Sequence, residues 1–404
     1  MARASHLRHR FRNAVVAAGG SGMLLTAQLL LAPGTAAAAA TPLTITADRA
    51  AAIPAGHNWA YNDFFPRTIA VHRGATIRFD IQGFHTATLV PAGPGPGTIR
   101  ANMGLVKSDT DDTTPNPNGS THTELNLASV FPIPGGCGSA SSPCTFNGTS
   151  PVSTGAPLSG PVAPLNVKIT APIGFYRFVC LIHPKMQGWL AVVPKELHPT
   201  TAAELSAKVA AQITADKARG FAAEAAASKA AIHLNADGTR TWTLTAGTGS
   251  PDGFVTVLEM LPRKVTIKKG DKVTWVSRSV NEPHTVTFPN DLQTDMLPMC
   301  ENGGTDVPAV PTVIPPTGPQ DFSCNGGPPD EVEFAPGNGV NHVTSPSTVA
   351  DSGLIASSAE LAGFSLPSTA AKSRWTATFA GAAAGTYHYV CQIHEGMAGT
   401  IVVH

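Results

Sequence analysis

The sequence predicts an all-β protein, two β-sandwich domains with a helix between them. Three observations carry this prediction. One ordered set of segments occurs twice, runs of β-branched and aromatic residues alternate with period two, and 39 Gly and 35 Pro punctuate the chain, above average usage. At 404 residues the chain exceeds what one hydrophobic core ordinarily serves. Charged residues are 13% of it, about half the usual share, which argues against helical bundles and coiled coils. Lys+Arg and Asp+Glu balance at 27 each, so there is no basic footprint for nucleic acid.

Residues 1–40 read as a secretory signal peptide. Arg3, Arg8, Arg10 and Arg12 form a positive n-region, Ala14 to Leu31 an apolar core, and Ala36 to Ala40 a run of small-residue cleavage sites. Gly19, Gly20 and Gly22 interrupt the apolar run, which disfavours a membrane anchor. No adjacent Arg pair marks the twin-arginine route, and no Cys stands near the cleavage region for lipid attachment. Loss of the four arginines leaves a mildly acidic remainder, expected to be secreted and without a membrane span.

The first domain is expected over 41–197. Arg67 to His72 alternates polar and β-branched residues, then Gly74-Ala-Thr-Ile-Arg-Phe-Asp and His85-Thr-Ala-Thr-Leu follow. It closes on Gly174-Phe-Tyr-Arg-Phe-Val-Cys180-Leu-Ile-His183-Pro-Lys-Met186-Gln-Gly188. The second domain, 237–404, repeats the order. Arg263 to Lys268 precedes Gly270-Asp-Lys-Val-Thr-Trp-Val and His284-Thr-Val-Thr-Phe, and the end is Gly385-Thr-Tyr-His-Tyr-Val-Cys391-Gln-Ile-His394-Glu-Gly-Met397-Ala-Gly399. Further strands are expected at 285–288, 375–379 and 400–403. The linker, 198–236, is expected to be helical. Thr201-Ala-Ala-Glu204 is a capping box, Glu204 and Lys208 are spaced i,i+4, and Leu205, Val209 and Ile213 form a narrow apolar stripe, with Gly220 a point of interruption.

Each copy thus offers an upstream His, a Cys, a second His three residues on and a Met three beyond that. Thiolate and two imidazoles with a weak axial thioether are the donor set of a blue copper centre. The soft sulfurs suit Cu(I), the imidazoles suit both oxidation states, and a geometry between their preferences limits reorganisation during electron transfer. Zinc is the alternative, disfavoured because each set has one thiolate rather than the two to four of structural zinc sites.

The chain resembles the cupredoxin family, the plastocyanin, amicyanin and halocyanin type of blue copper domain, present twice. The second copy is the closer, with Gly270-Asp271 through Trp275, Glu282-Pro283-His284-Thr-Val-Thr-Phe and Tyr389-Val-Cys391; its Cys-x2-His-x2-Met loop is amicyanin-like in length. The first copy has Gly83-Phe84 where Pro283 stands in the second. The resemblance implies Greek-key β-sandwiches, one type 1 copper per domain and single-electron transfer with redox partner proteins. Its implied metal ligands are His85, Cys180, His183 and Met186, then His284, Cys391, His394 and Met397. His183 and His394 would be solvent-edge electron ports, and Met186 and Met397 would tune the potential.

His85 and Cys180 are 95 residues apart, His284 and Cys391 107, so both copies carry long insertions rich in Gly, Pro, Ser, Thr and Asn. The other four cysteines lie inside them. In an exported protein Cys137 with Cys144, and Cys300 with Cys324, read as local disulfides pinning each loop. The insertions also hold His122, His342, Met296 and Met299, which read as bystanders rather than a further copper site. His388, three before Cys391, is expected at the surface.

Two non-enzyme functions follow, an electron carrier and, as its alternative, a copper store or delivery protein. The sequence-level expectation is that the chain is not an enzyme. Cys180 is flanked by Val179 and Leu181, Cys391 by Val390 and Gln392, and no His-x-His pair follows the signal, so the second-copper ligands of copper oxidases are not apparent.

Overall fold

Alternation along the strands sets the architecture. Thr68–His72 and Lys264–Ile267 place every second residue inside, Ile69 and Val71 in one, Val265 and Ile267 in the other, as a strand with one covered face must. The computed structural model describes residues 41–93, 95–104, 106–108, 123–125, 129, 131–157, 161–289, 296–301, 306–308, 310–311, 322–324, 331–334, 339–357 and 373–404. Residues 1–40, expected to be a signal peptide, lie outside them. Among the described residues no helix is long and apolar enough to cross a membrane.

The fold is all-β with one long helix. One five-stranded sheet runs in the order Phe64–Phe65, Leu43–Ala47, Thr76–Ile81, Leu165–Ile169, Cys144–Phe146. A second runs Val152–Ser153, Thr88–Val90, Gly174–Val179, Gln187–Val193, Thr68–His72. They share a core in which Phe178 meets Phe64 and Phe79 edge to face, with centroids 5.0 and 5.6 Å apart. A second pair of sheets encloses Trp275, Phe288, Phe379, Tyr387 and Tyr389.

Three strand pairings recur between the halves. Leu43–Ala47 runs parallel to Thr76–Ile81 as Arg240–Gly249 does to Lys272–Val276. Gln187–Val193 runs parallel to Thr68–His72 as Ala398–Val403 does to Lys264–Ile267. The strand ending just before Cys180 or Cys391 pairs antiparallel with the strand that follows the Cys-to-Met loop in both halves. The repeat seen in the sequence is therefore a repeat of topology.

The helix is Ala202–Ala227, begun by the capping box in which Thr201 Oγ1 accepts the Glu204 N–H and Glu204 accepts the Thr201 N–H. It departs from expectation twice. It runs unbroken through Gly220, because that glycine faces Trp59, where a Cβ would lie 2.6 Å from the indole ring. It also stops well before 236. Ala231–Leu234 is a strand, folded onto Arg240–Gly249 by a turn in which Asn235 N–H bonds Thr239 O and Gly238 takes a left-handed φ.

The halves interlock more than a linker requires. Trp59–Ala60, from the first half, pairs with Thr256–Leu261 of the second. Trp59, Tyr61 and Phe65 pack with Val255, Val257 and Leu261 in a third apolar cluster, joined by Val209, Ile213 and Ala223 of the helix. The two insertions also meet. Val106–Ser108 and Thr123–Leu125 join Glu331–Phe334, Met296–Glu301 and Asp306–Pro308 in one sheet, Glu331 opposite Glu124. Residues Pro42–His404 accordingly form one compact unit.

Arg67 fastens the helix to the first half, 2.6 Å from Asp63 and 2.8 Å from Asp216. Burial pushes the Asp63 carboxyl up to about 8, against the opposing pull of Arg67, and the neighbouring Asp216 adds to the rise. The unfolded chain releases this proton near 3.8, whereas the folded chain keeps it to about 8. In that window the unfolded state binds fewer protons, so this group's contribution to stability is present below it and lost as pH rises through it. Thermal unfolding measured across the window should show the native protein losing more stability with rising pH than Asp63→Asn. Equal slopes would count against a proton retained on Asp63.

Candidate metal centres

The ligand loops are built alike. In the first, Cys180 N–H bonds Met186 O at 3.1 Å and Met186 N–H bonds His183 O at 3.0 Å. In the second, Cys391 N–H bonds Met397 O at 2.9 Å and Met397 N–H bonds His394 O at 3.2 Å. These bonds close a tight loop whose Cys and Met side chains are buried in the sandwich cores. The upstream His arrives from across the sheet, beside Thr88–Val90 or Thr287–Phe288.

His85, Cys180 and His183 converge, and so do His284, Cys391 and His394, with ligand atoms within 4.8 Å of one another in each set. Cys180 Sγ stands 3.4 Å from His183 Nδ1 and 4.0 Å from His85 Nδ1, and the two Nδ1 atoms are 2.9 Å apart. In the second set Cys391 Sγ is 3.5 Å from His394 Nδ1, and the Nδ1 atoms are 3.2 Å apart. Met186 and Met397 lie on the same loops, fully buried.

The sequence reading missed the residue after each upstream His. Thr86 and Thr285 each donate their N–H to the Cys sulfur at 3.4 Å. Their hydroxyls accept the N–H of the residue after that Cys, Leu181 at 2.8 Å and Gln392 at 2.9 Å. The signal was present in the paired His-Thr of the two repeats.

Burial by itself raises both thiols, but the imidazoles beside them outweigh it and hold Cys180 and Cys391 well below the usual thiol range. The upstream histidines differ. Burial opposes charge on both; at His85 the carboxylate of Asp48 and the Cys180 sulfur overcome it, while at His284 burial prevails. Asp48 Oδ2 lies 3.8 Å from His85 Nε2, whereas His284 Nε2 has no hydrogen-bond partner among the described residues.

The expectation that His183 and His394 face solvent is corrected for His183, which is buried, with 3% of its surface exposed. Its Nε2 is 2.8 Å from Glu282 Oε1, and the other carboxylate oxygen, Oε2, is 3.5 Å from His394 Nε2. Glu282 comes from the turn before His284, so the two ligand loops are turned towards one carboxylate. His394 keeps 14% of its side chain exposed and borders a groove with Asn58, Leu258, Arg263 and Gly396.

The donor set fits a copper ion. Buried Nδ1 atoms that face each other beside a polarised sulfur suit a cation between them, and one thiolate with two imidazoles matches the softness copper prefers. Cys137 is bonded to Cys144 and Cys300 to Cys324, so Cys180 and Cys391 are the cysteines outside the disulfides. His388 is exposed and so is His342, while His122 lies outside the described residues. Met296 and Met299 sit on one strand of the joint insertion sheet. A third cluster, His57 with Glu224 and Glu259, also lies within 4.8 Å, but Glu259 is occupied by Arg263 and the Asn58 N–H.

No protein-family model matches the sequence, and no curated protein does. Solved structures do. A reduced auracyanin from the photosynthetic bacterium Roseiflexus castenholzii is 17% identical, with 39% of this chain and 99% of that one aligned at a TM-score of 0.21. A reduced Cu(I) form of an amicyanin variant is 17% identical, over 44% of this chain and 99% of that one, at 0.17. A multicopper oxidase is 10% identical, over 90% of this chain and 88% of that one, at 0.19. A second multicopper oxidase aligns over the same share of the chain, and the expectation that the chain is not an enzyme is withdrawn. The missing His-x-His pair and the apolar neighbours of Cys180 exclude one arrangement of additional copper ligands, not catalysis.

Proposed function

We propose that the protein is a secreted copper protein with one type 1 centre in each half, exchanging single electrons with redox partner proteins. The reading takes 41–197 and 237–404 as the two cupredoxin domains, 198–236 as the segment between them, and 1–40 as a signal removed on export. One observation carries it: two donor sets, in which the upstream His and the Cys are 95 and 107 residues apart, are closed by the same backbone bonds and the same Thr-to-sulfur contact. His85, Cys180, His183 and Met186 would hold one ion, and His284, Cys391, His394 and Met397 the other. Bound copper would supply a one-electron couple. The chain's part is to keep each thiol deprotonated, orient His85, His183 and His394 through carboxylate contacts at Nε2, and exclude water by burial.

The test is copper per chain with the visible and EPR spectra of the reconstituted protein. Two equivalents, an intense thiolate-to-copper band and narrow copper hyperfine splitting are expected. Cys180→Ser and Cys391→Ser should each lose one equivalent and about half of the band. A colourless protein, or one that yields its copper promptly to a chelator, would speak for storage or delivery instead. Turnover of a phenol, nitrite or dioxygen in the same preparation decides whether the electrons serve a catalytic cycle.

A further inference from the structure

We propose that Glu282 joins the two centres into one two-electron unit by bridging the outer nitrogens of His183 and His394. The inference rests on the copper reading above and adds to it a residue outside either ligand set. A carboxylate has two oxygens and can serve two donors at once. Glu282 does so across the halves, Oε1 towards His183 at 2.8 Å and Oε2 towards His394 at 3.5 Å. It belongs to the second half by sequence yet makes its shorter contact with the first.

The carboxylate is held in place rather than loosely lodged. Its own N–H donates to Ser279 Oγ at 3.0 Å, and Asn62 Nδ2 approaches Oε1 at 3.4 Å while bonding Thr256 Oγ1 at 2.8 Å. The preceding Asn281 accepts the Lys185 N–H at 3.1 Å, so the turn that carries Glu282 also grips the ligand loop of the first centre. Its other hold is on Gly253 O.

The consequence is a short path, imidazole to carboxylate to imidazole, between the ligand sets. One electron leaves one centre and reduces the other, so the exchange needs no outside reagent once a single electron is present. The path also explains the asymmetry of exposure. His183, buried, reaches the carboxylate, and His394, partly exposed, connects that same carboxylate to the surface groove. External reagents should therefore meet the second centre, and the first should exchange through it.

Two measurements test this on the full chain. In the metal-free protein, labelled for imidazole NMR, His183 and His394 should each show a slowly exchanging Nε2–H, and Glu282→Leu should lose both. In the copper-loaded protein, substoichiometric reduction by the radiolytic carbon dioxide radical anion should be followed by a first-order phase independent of protein concentration. That phase should be absent in Cys180→Ser. It should slow by about tenfold or more in Glu282→Leu and recover in part in Glu282→Gln, which keeps one acceptor, with two coppers and both blue bands retained. An unchanged phase in a fully loaded Glu282→Leu, or no such phase in the native protein, overturns the bridge while leaving the copper reading intact. Failure of the native chain to bind copper at all would overturn that reading, and is seen in the metal count before any kinetics.

Discussion

Replacing Gly247 with Ala should cost the protein its second copper and spare the first. Gly247 has a left-handed φ of +67°, and a Cβ built there would stand 1.8 Å from His284 Nε2. No van der Waals contact survives at that distance, so one partner must move. The backbone of His284 is fixed, its N–H bonding Ile355 O at 2.9 Å and its O accepting the Ile355 N–H at 2.7 Å. The backbone of Gly247 is fixed too, its O accepting the Arg278 N–H at 3.0 Å. Relief must come from rotating the imidazole, which takes Nδ1 away from Cys391 and His394. Overpacking of this kind costs about 1–3 kcal/mol, less than a typical domain's stability, so the chain should fold and bind about one copper. The check is metal content with the blue band, beside Gly135→Ala, where a Cβ meets nothing within 4 Å. Two coppers in Gly247→Ala would exclude His284 as a ligand in this position.

The candidate ligand sets were legible because most of each is local. Cys, His and Met fall within seven residues, and the loop closes on its own backbone, so the sequence spacing is the geometry. The fold class was legible for a related reason, since strand alternation is written in neighbouring residues and the repeat doubles the signal. What surrounds the imidazoles was not. Glu282 meets His183 across 99 positions, and its partner could be known only after the halves had packed. The same holds for Asp48 and Gly247, which occupy comparable left-handed positions beside the two upstream histidines; they follow Thr44-Ile-Thr-Ala47 and Thr243-Leu-Thr-Ala246, a short repeat that says nothing of a contact with either ring. The joint insertion sheet and the exchange of Trp59–Ala60 into the second half were also hidden, because strand edges are paired by tertiary arrangement and not by period. Gly220 misled for a local reason. Its low helix propensity is outweighed by the close approach of Trp59.

The unequal surroundings of the upstream histidines should give the two centres different potentials, the first lower. A carboxylate near the outer nitrogen of a ligand His makes the ring a better donor and favours the more positive oxidation state. Asp48 stands 3.8 Å from His85 Nε2, while His284 Nε2 is buried beside Gly247 with no hydrogen-bond partner among the described residues. Glu282 acts in the same direction, since it is closer to His183 than to His394. Electrons held by the pair should therefore rest on the second centre, the one whose His394 borders the surface groove. Asp48→Asn removes the charge while keeping an oxygen to accept the Tyr61 N–H that Asp48 Oδ1 now accepts at 3.3 Å. The variant should raise the first potential by about 60–120 mV, a ten- to hundredfold change for one electron, and leave the second in place. Voltammetry of native and variant proteins, with Cys391→Ser to assign the first wave, reads both values. An Asn variant whose first wave does not move, or a native protein whose first centre is the more oxidising, would remove Asp48 from this role.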